Sequence, residues 1–418
     1  MESMMINLFE ILQCFSDAVD MVLPEFTNHQ HQVAMLAYRI AQHMGLSESS
    51  QRNVLMAGLV HDVGAISIRE RLELIETEPV TVHSHGFRAA RLLEEYGPFS
   101  LTADIIRYHH LSWEYGQGRS FMGRSVPVES HILHLADRVC LKVHMDPSPL
   151  DQVDGLIGSV REQAGKTFMP EVVGAFSEIA RHEYVWLELR YNTPLESKPF
   201  ESARKRLAME DVLSLSKMFS RIIDFRSRFT ATHSASVAQT ASKLAELIGF
   251  SKTECLQMLV AGYLHDLGKL AIDTAILEKP GKLTTQEFNA IRSHTFITYH
   301  LLGGIKGFES IRRWAAFHHE RLDGRGYPFH LKEESIPVGS RIMAVADVLS
   351  AVTEPRPYRD GMSREKTVET LRAMTDDGAL NRHIVSLALD HIDSLREICL
   401  ESRVKAEEEY RRFFDIES

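Results

Sequence analysis

The chain has 418 residues, 44% of them hydrophobic and 25% charged, a composition ordinary for a globular protein and a length that suits two domains. A formal net charge of −10 argues against non-specific binding to long nucleic acid, which needs many phosphate contacts from Lys and Arg, but leaves room for a small anion held by a few local cations. No apolar run approaches a membrane span, no signal-peptide layout opens the chain, and Cys14, Cys140, Cys255 and Cys399 are far apart and form no CxxC pair, so a reduced, cytoplasmic protein is expected.

Taken in chain order, the first clear helical period is Val33, Leu36, Ala37 and Ile40, spaced by three and four. His29 stands just before it and precedes the pair His61-Asp62 by 32 positions, in the segment AGLVHDVGAISI. His85 then precedes His109-His110 by 24, and Asp137 follows in LADRV. The stretch TPLESKPFES (193–202), polar and with two prolines, reads as a linker. Beyond it Val237, Thr240, Ala241, Leu244 and Ile248 restore the helical period. His233 precedes His265-Asp266 by 32 positions, in AGYLHDLGKLAI; His294 precedes His318-His319 by 24; Asp347 follows in VADVL. Strand-like alternation is scarce. The expected fold is all-α, with one helical unit duplicated: a domain over 1–192, a linker over 193–205 and a domain over 206–418.

A lone helical histidine is most often a satisfied core or surface residue, and a single His-Asp dipeptide means little. The ordered set of His233, His265, Asp266, His294, His318, His319 and Asp347 is different. Neutral imidazole and carboxylate suit first-row transition metals, with Fe, Mn, Ni and Zn all open. Seven such groups are too many for one tetrahedral site and suit two metals with a bridging carboxylate. A dinuclear site can activate water and clamp the attacking and leaving oxygens of a phosphodiester. Lys269, one turn after His265, can face the same cluster and stabilise developing charge. Asp323-Gly324-Arg325-Gly326-Tyr327-Pro328 must form an irregular loop beside the histidine pair. Arg356 and Arg359 can bind phosphate or stack on a guanine face.

The run HDLGK at 265–269, then His294, HHERLDGRGYP at 318–328, Asp347 and RPYR at 356–359 resembles the HD-GYP domain of the HD phosphohydrolase superfamily, over roughly 205–375. The resemblance implies hydrolysis of a bacterial cyclic dinucleotide, chiefly cyclic di-GMP, to the linear dinucleotide and then GMP. It implies the seven residues above as ligands and Asp266 as the bridge. It also implies Lys269, Arg356, Arg359, Asp323, Gly324 and Tyr327 as substrate contacts. A 3′,3′-cyclic GMP-AMP substrate and a non-catalytic dinucleotide sensor stay open, as do a homodimer and a signalling partner at the GYP loop. Three departures stand out. Phe229 replaces a glutamate that some members use for a third metal. Ser350 replaces a common aspartate. GALNRHIV (378–385) lacks the family's aromatic-and-proline pattern, which instead occurs in the N-terminal half as GKTFMPEVV (165–173).

The N-terminal half resembles a diverged copy. His29, His61, Asp62, His85, His109, His110 and Asp137 match all seven ligand types, His29 being taken over the nearby His31 on its spacing. Yet Ala65 stands for Lys269, HHLSWEYGQGRSFMG (109–123) replaces the GYP loop, and nothing like RPYR follows Asp137. A metal-loaded regulatory or dimerising domain, a metal-free scaffold and a second catalytic site are its three readings.

Overall fold

The computed structural model describes residues 6–22, 27–65, 70, 83–94, 96–144, 149–191, 206–226, 232–355 and 361–414. Among them the protein is helical, as its periods require. Strands are confined to two short antiparallel ladders, β1 (Ile6–Asn7) with β4 (Arg206–Leu207) and β2 (Ser120–Phe121) with β3 (Arg124–Ser125).

The chain packs as two units. One holds the described residues of Ile11–Lys205, the other those of Met1–Glu10 and Arg206–Ser418. The start of the chain thus packs with the C-terminal half: Ile6 pairs with Leu207, and Glu10 accepts a hydrogen bond from the Lys306 amide at 2.9 Å. A two-residue strand carries no period, so the sequence held no sign of this. The expected linker, 193–205, lies outside the described residues.

The first unit runs through α1 (Leu8–Asp20), whose first three residues group with the other unit, α2 (His29–His43), α3 (Glu48–Val60), α4 (His83–Glu94), α5 (Ser100–Arg107), α6 (Val128–His144), α7 (Pro149–Glu162), α8 (Pro170–Ile179) and α9 (Glu183–Tyr191). The second runs through α10 (Met209–Asp224), α11 (His233–Ile248), α12 (Lys252–Leu264), α13 (Thr274–Leu277), α14 (Thr285–Leu302), α15 (Glu309–Ala316), α16 (Val338–Thr353), α17 (Arg364–Asp376), α18 (Arg382–Asp390) and α19 (Ile392–Phe414). In each, a central helix packs on two others: α2 on α3 and α6, α11 on α12 and α16.

Local chemistry sets these elements. Ser251 and Thr284 open α12 and α14 with reciprocal capping boxes to Glu254 and Glu287. Val237, Thr240, Ala241 and Leu244 of α11 are fully buried, as are Val33, Ala37 and Ile40 of α2, so the apolar stripes face the cores. Close packing of the central helix depends on one glycine per half. A Cβ on Gly262 would lie 2.4 Å from the Ala238 Cα, and one on Gly58 would lie 2.4 Å from the Ala34 Cα. Among the described residues, no helix is long and apolar enough to cross a membrane.

Candidate active site

In the C-terminal half the seven donors arrive from six places. His233 opens α11 and His265 closes α12. Asp266 starts a 3-10 turn over Leu267–Ala271. His294 lies within α14, His318 and His319 follow α15, and Asp347 lies within α16. Three sets have donor atoms within 4.8 Å of one another: His233, His265 and Asp347; His265, Asp266 and His318; His294, His318 and His319. Shared histidines join the sets into one cluster.

Backbone carbonyls orient the rings. The Nδ1 atoms of His265, His294 and His318 lie 2.7, 2.6 and 2.6 Å from the carbonyls of Gly262, Ile291 and Ala315, each three residues back. Donation there leaves the lone pair on Nε2, turned to the cluster. The Nε2 atoms of His294 and His318 are then two acceptors 3.3 Å apart, a pairing that favours a cation between them. His265 Nε2 and Asp266 Oδ1 are buried and make no hydrogen bond of good geometry, though His265 Nε2 lies 3.2 Å from Asp266 Oδ2 and His294 Nε2 lies 3.3 Å from Asp266 Oδ1. Buried polar atoms crowded in this way, on a set of imidazoles and carboxylates, fit a metal centre.

The electrostatics agree. Burial pushes His294 down to about 3 and holds His318 well below the usual histidine range, so both rings are neutral donors. Burial opposes ionisation of Asp266, but His265 and Lys269 outweigh it and hold the carboxyl well below its usual range. Burial likewise opposes the Lys269 ammonium, and Asp266 outweighs it, so the lysine stays charged. Lys269 Nζ donates to Asp266 Oδ2 at 2.5 Å. Its turn is clamped from outside. Arg226 donates to the carbonyls of Lys269, Leu270 and Ile272, and Thr298 Oγ1 accepts from the Gly268 amide while donating to the His265 carbonyl. Gly268 has no room for a side chain: a Cβ would sit 2.1 Å from the His294 carbonyl oxygen. The glycine of HDLGK thus lets the His-Asp turn press against the helix that carries the next ligand.

The GYP loop is braced by Glu320, whose buried carboxylate accepts from the amides of Phe329 and Leu331. Tyr327 packs its ring 5.0 Å from that of His319 and donates its amide to the His319 carbonyl. Arg292 lies over the rings of Tyr327 and Phe288. Asp323 is turned to its own scaffold. Its carboxylate pairs with Arg321 and Arg325, each at 2.7 Å, and both guanidiniums also reach Asp377. Gly324, at φ 76°, makes the turn that follows. Arg356, Arg359 and Phe229 lie outside the described residues.

The N-terminal half gathers its seven candidates too. His29, His61 and Asp137 form one set, and His85, His109 and His110 another. Asp62 Oδ1 lies between them, 3.6 Å from His61 Nε2 and 3.7 Å from His85 Nε2. The ring orientation repeats: Nδ1 of His61 and His109 meet the carbonyls of Gly58 and Ile106. His29 Nε2 is 3.1 Å from Asp137 Oδ1, whereas His31 Nε2 faces Asp17 at 3.2 Å. The surroundings differ. Arg138 donates to Asp137 Oδ2 at 2.6 Å, and Gln30 donates to Asp62 Oδ2 at 3.3 Å. By the repeat, Arg226 and Thr298 are replaced by Val22 and Ala89. Here Arg88 binds the Gly64 carbonyl and Glu70 instead. The β2–β3 hairpin occupies the place of the GYP loop, yet both segments dock alike. Trp113 and Glu114 donate to the carbonyls of Thr167 and Lys166, and Leu322 and Asp323 to those of Ala379 and Gly378. GKTFMPEVV and GALNRHIV are therefore the same structural element.

Sequence reading missed Arg226, Thr298, Glu320, Arg138 and Glu354. Glu320 is the residue after the histidine pair, and Glu354 falls seven residues after Asp347, two helical turns on; those spacings were the available signal.

HD-domain family models match residues 26–141 and 217–383. A 3′,3′-cGAMP-specific phosphodiesterase of Vibrio cholerae is 31% identical over 394 residues, covering 91% of this chain and 90% of that protein. A cyclic di-GMP phosphodiesterase response regulator of Xanthomonas campestris is 39% identical over 156 residues, 37% of this chain and 41% of its own. The crystal structure of a cyclic GMP-AMP-specific phosphodiesterase of Vibrio cholerae superposes with a TM-score of 0.66 at 21% identity, covering 93% of this chain and 98% of that one. The structural match establishes the shared fold.

Proposed function

The chain belongs to the HD-GYP phosphodiesterases of the HD-domain superfamily, and from that membership we propose that its C-terminal half hydrolyses a cyclic dinucleotide second messenger at a two-metal centre. The observation that carries this reading is the Lys269 ammonium, held charged and partly exposed beside the seven-donor cluster.

His233, His265, Asp266, His294, His318, His319 and Asp347 would hold the metals, with Asp266 as the shared carboxylate and iron, manganese, nickel or zinc all compatible with the donors. Such metals supply a Lewis acid and an activated water. Lys269 donates to a non-bridging phosphate oxygen and stabilises the negative charge on it as water attacks phosphorus. The clamp of Arg226 and Thr298 fixes the turn from which Lys269 acts, so little reorganisation accompanies the reaction. Arg356 and Arg359 hold the second phosphate or a guanine face, while Tyr327, Gly324 and Asp323 shape the loop beside His319. In the N-terminal half, Ala65 offers no ammonium and Arg138 occupies one oxygen of Asp137, which supports a metal-holding regulatory role over a second catalytic one.

Cyclic di-GMP, cut to the linear dinucleotide and then to GMP, is the first reading of the substrate. The second, 3′,3′-cyclic GMP-AMP, is favoured by one observation: a relative that aligns over 91% of the chain is named for that specificity, whereas the cyclic di-GMP phosphodiesterase of Xanthomonas campestris aligns over 37% of the chain. Incubating protein loaded with Mn(II) or Fe(II) with each dinucleotide, and separating the products by chromatography, tests both. Cleavage of neither, at full metal content, overturns the hydrolytic reading in favour of a sensor.

A further inference from the structure

Glu354 lies outside every motif of the family resemblance. It follows the last residue of α16, is 6% exposed, and places Oε2 3.3 Å from His233 Nδ1. The opposite ring nitrogen, Nε2, is 3.1 Å from Asp347 Oδ1. His233 is therefore held between two carboxylates. His265, His294 and His318 have no need of such a partner, because a carbonyl three residues back receives each Nδ1. His233 is the first residue of α11, so no earlier turn of its own helix offers that carbonyl. Its Nδ1 is served from the end of α16 instead. Glu354 lies seven residues after Asp347, just past the end of α16, so one helix and its C-terminal cap supply both a candidate ligand and the group behind another.

The second Glu354 oxygen, Oε1, is buried without a hydrogen bond. A buried carboxylate with an idle oxygen is costly unless a positive charge lies close by. A metal on His233 Nε2 polarises the Nδ1–H bond and strengthens its donation to Glu354; by linkage, Glu354 strengthens the hold of His233 on the metal. In the N-terminal half the residue seven after Asp137 is His144, not a carboxylate.

We propose that Glu354 is a positioning residue of the C-terminal metal centre, fixing the tautomer and aim of His233 and raising its affinity for the metal. This rests on the metal-dependent reading of that half. The test uses the full chain carrying His61→Ala and Asp62→Ala, so that only the C-terminal cluster is read, titrated with Mn(II) against a competing chelator. Glu354→Ala weakens Mn(II) binding about 10–100-fold with an unchanged number of ions bound at saturation. Glu354→Gln, which keeps an acceptor oxygen, weakens it less. Should Glu354→Ala lose its cooperative melt, Glu354→Gln decides alone through a several-fold loss. Unchanged affinity in the folded variants overturns the proposal. So does the loss of one bound ion at saturation, which would make Glu354 a direct ligand. If the parent binds Mn(II) yet cuts no cyclic dinucleotide, the functional reading falls while the affinity comparison still judges Glu354.

Discussion

Asp266 and Asp62 occupy the same turn of the two halves and answer to different neighbours. Asp266 meets an ammonium that also faces the cluster; Asp62 meets the Gln30 amide. Asp347 keeps Oδ2 for His319, 3.8 Å away, whereas Asp137 yields its Oδ2 to Arg138. The donors themselves have hardly diverged. What has changed is the set of charges and braces around them, and on the function proposed above those separate a catalytic cluster from a regulatory one. Keeping a ligand set preserves a buried polar core, because histidines and carboxylates brought together without water need one another or an ion. Losing a single lysine removes the charge stabilisation without disturbing that core.

The largest effect separates the halves outright. His265→Ala with Asp266→Ala abolishes cyclic dinucleotide turnover, while His61→Ala with Asp62→Ala leaves it in place, as read by product chromatography; the reverse pattern would move the active site to the N-terminal half. Next is Lys269→Ala, which lowers kcat by about 10²–10³ with metal content retained. Adding Ala65→Lys to the His265→Ala, Asp266→Ala protein restores no turnover, because Arg138 and the β2–β3 hairpin remain. Recovery of turnover would show that the lysine was the whole difference.

The glycines test what the halves share. Gly268→Ala and Gly64→Ala each force a Cβ to about 2 Å from a carbonyl oxygen, of His294 and His85 respectively. Each costs about 1–3 kcal/mol of stability in denaturant melts. A neutral Gly64→Ala would mean that the N-terminal turn has room its counterpart lacks. The smallest effect sharpens the contrast at Asp137. Arg138→Val installs the residue that follows Asp347 and frees the second carboxylate oxygen. Metal affinity of the N-terminal half then rises about tenfold, a competing charged hydrogen bond of about 1.5 kcal/mol having been removed. Titration of the His265→Ala, Asp266→Ala background reads it, and an unchanged affinity would leave Arg138 outside the metal question.

How much of this was legible in advance depends on distance along the chain. Helical periods such as Val237 to Leu244 announce their own buried faces, because a helix repeats within a few residues. The candidate ligands were legible because duplication writes each spacing twice: His29 was preferred to His31 on the 32-residue interval alone, and the structure turns His31 to Asp17 instead. The braces were not legible. Arg226 reaches the turn of Lys269 over more than forty positions, and Glu354 reaches His233 over more than a hundred. No local pattern relates residues that meet only after helices have packed. Sequence by itself determined the helical class, the duplication and which histidines and aspartates recur at matching intervals, since those rest on local propensity and on spacing. Tertiary structure alone decided which oxygen of each aspartate is occupied, which carbonyl turns each ring, and that Ile6 pairs with Leu207. Those depend on the close approach of separate helices, and the glycines at 58, 64, 262 and 268 permit that approach.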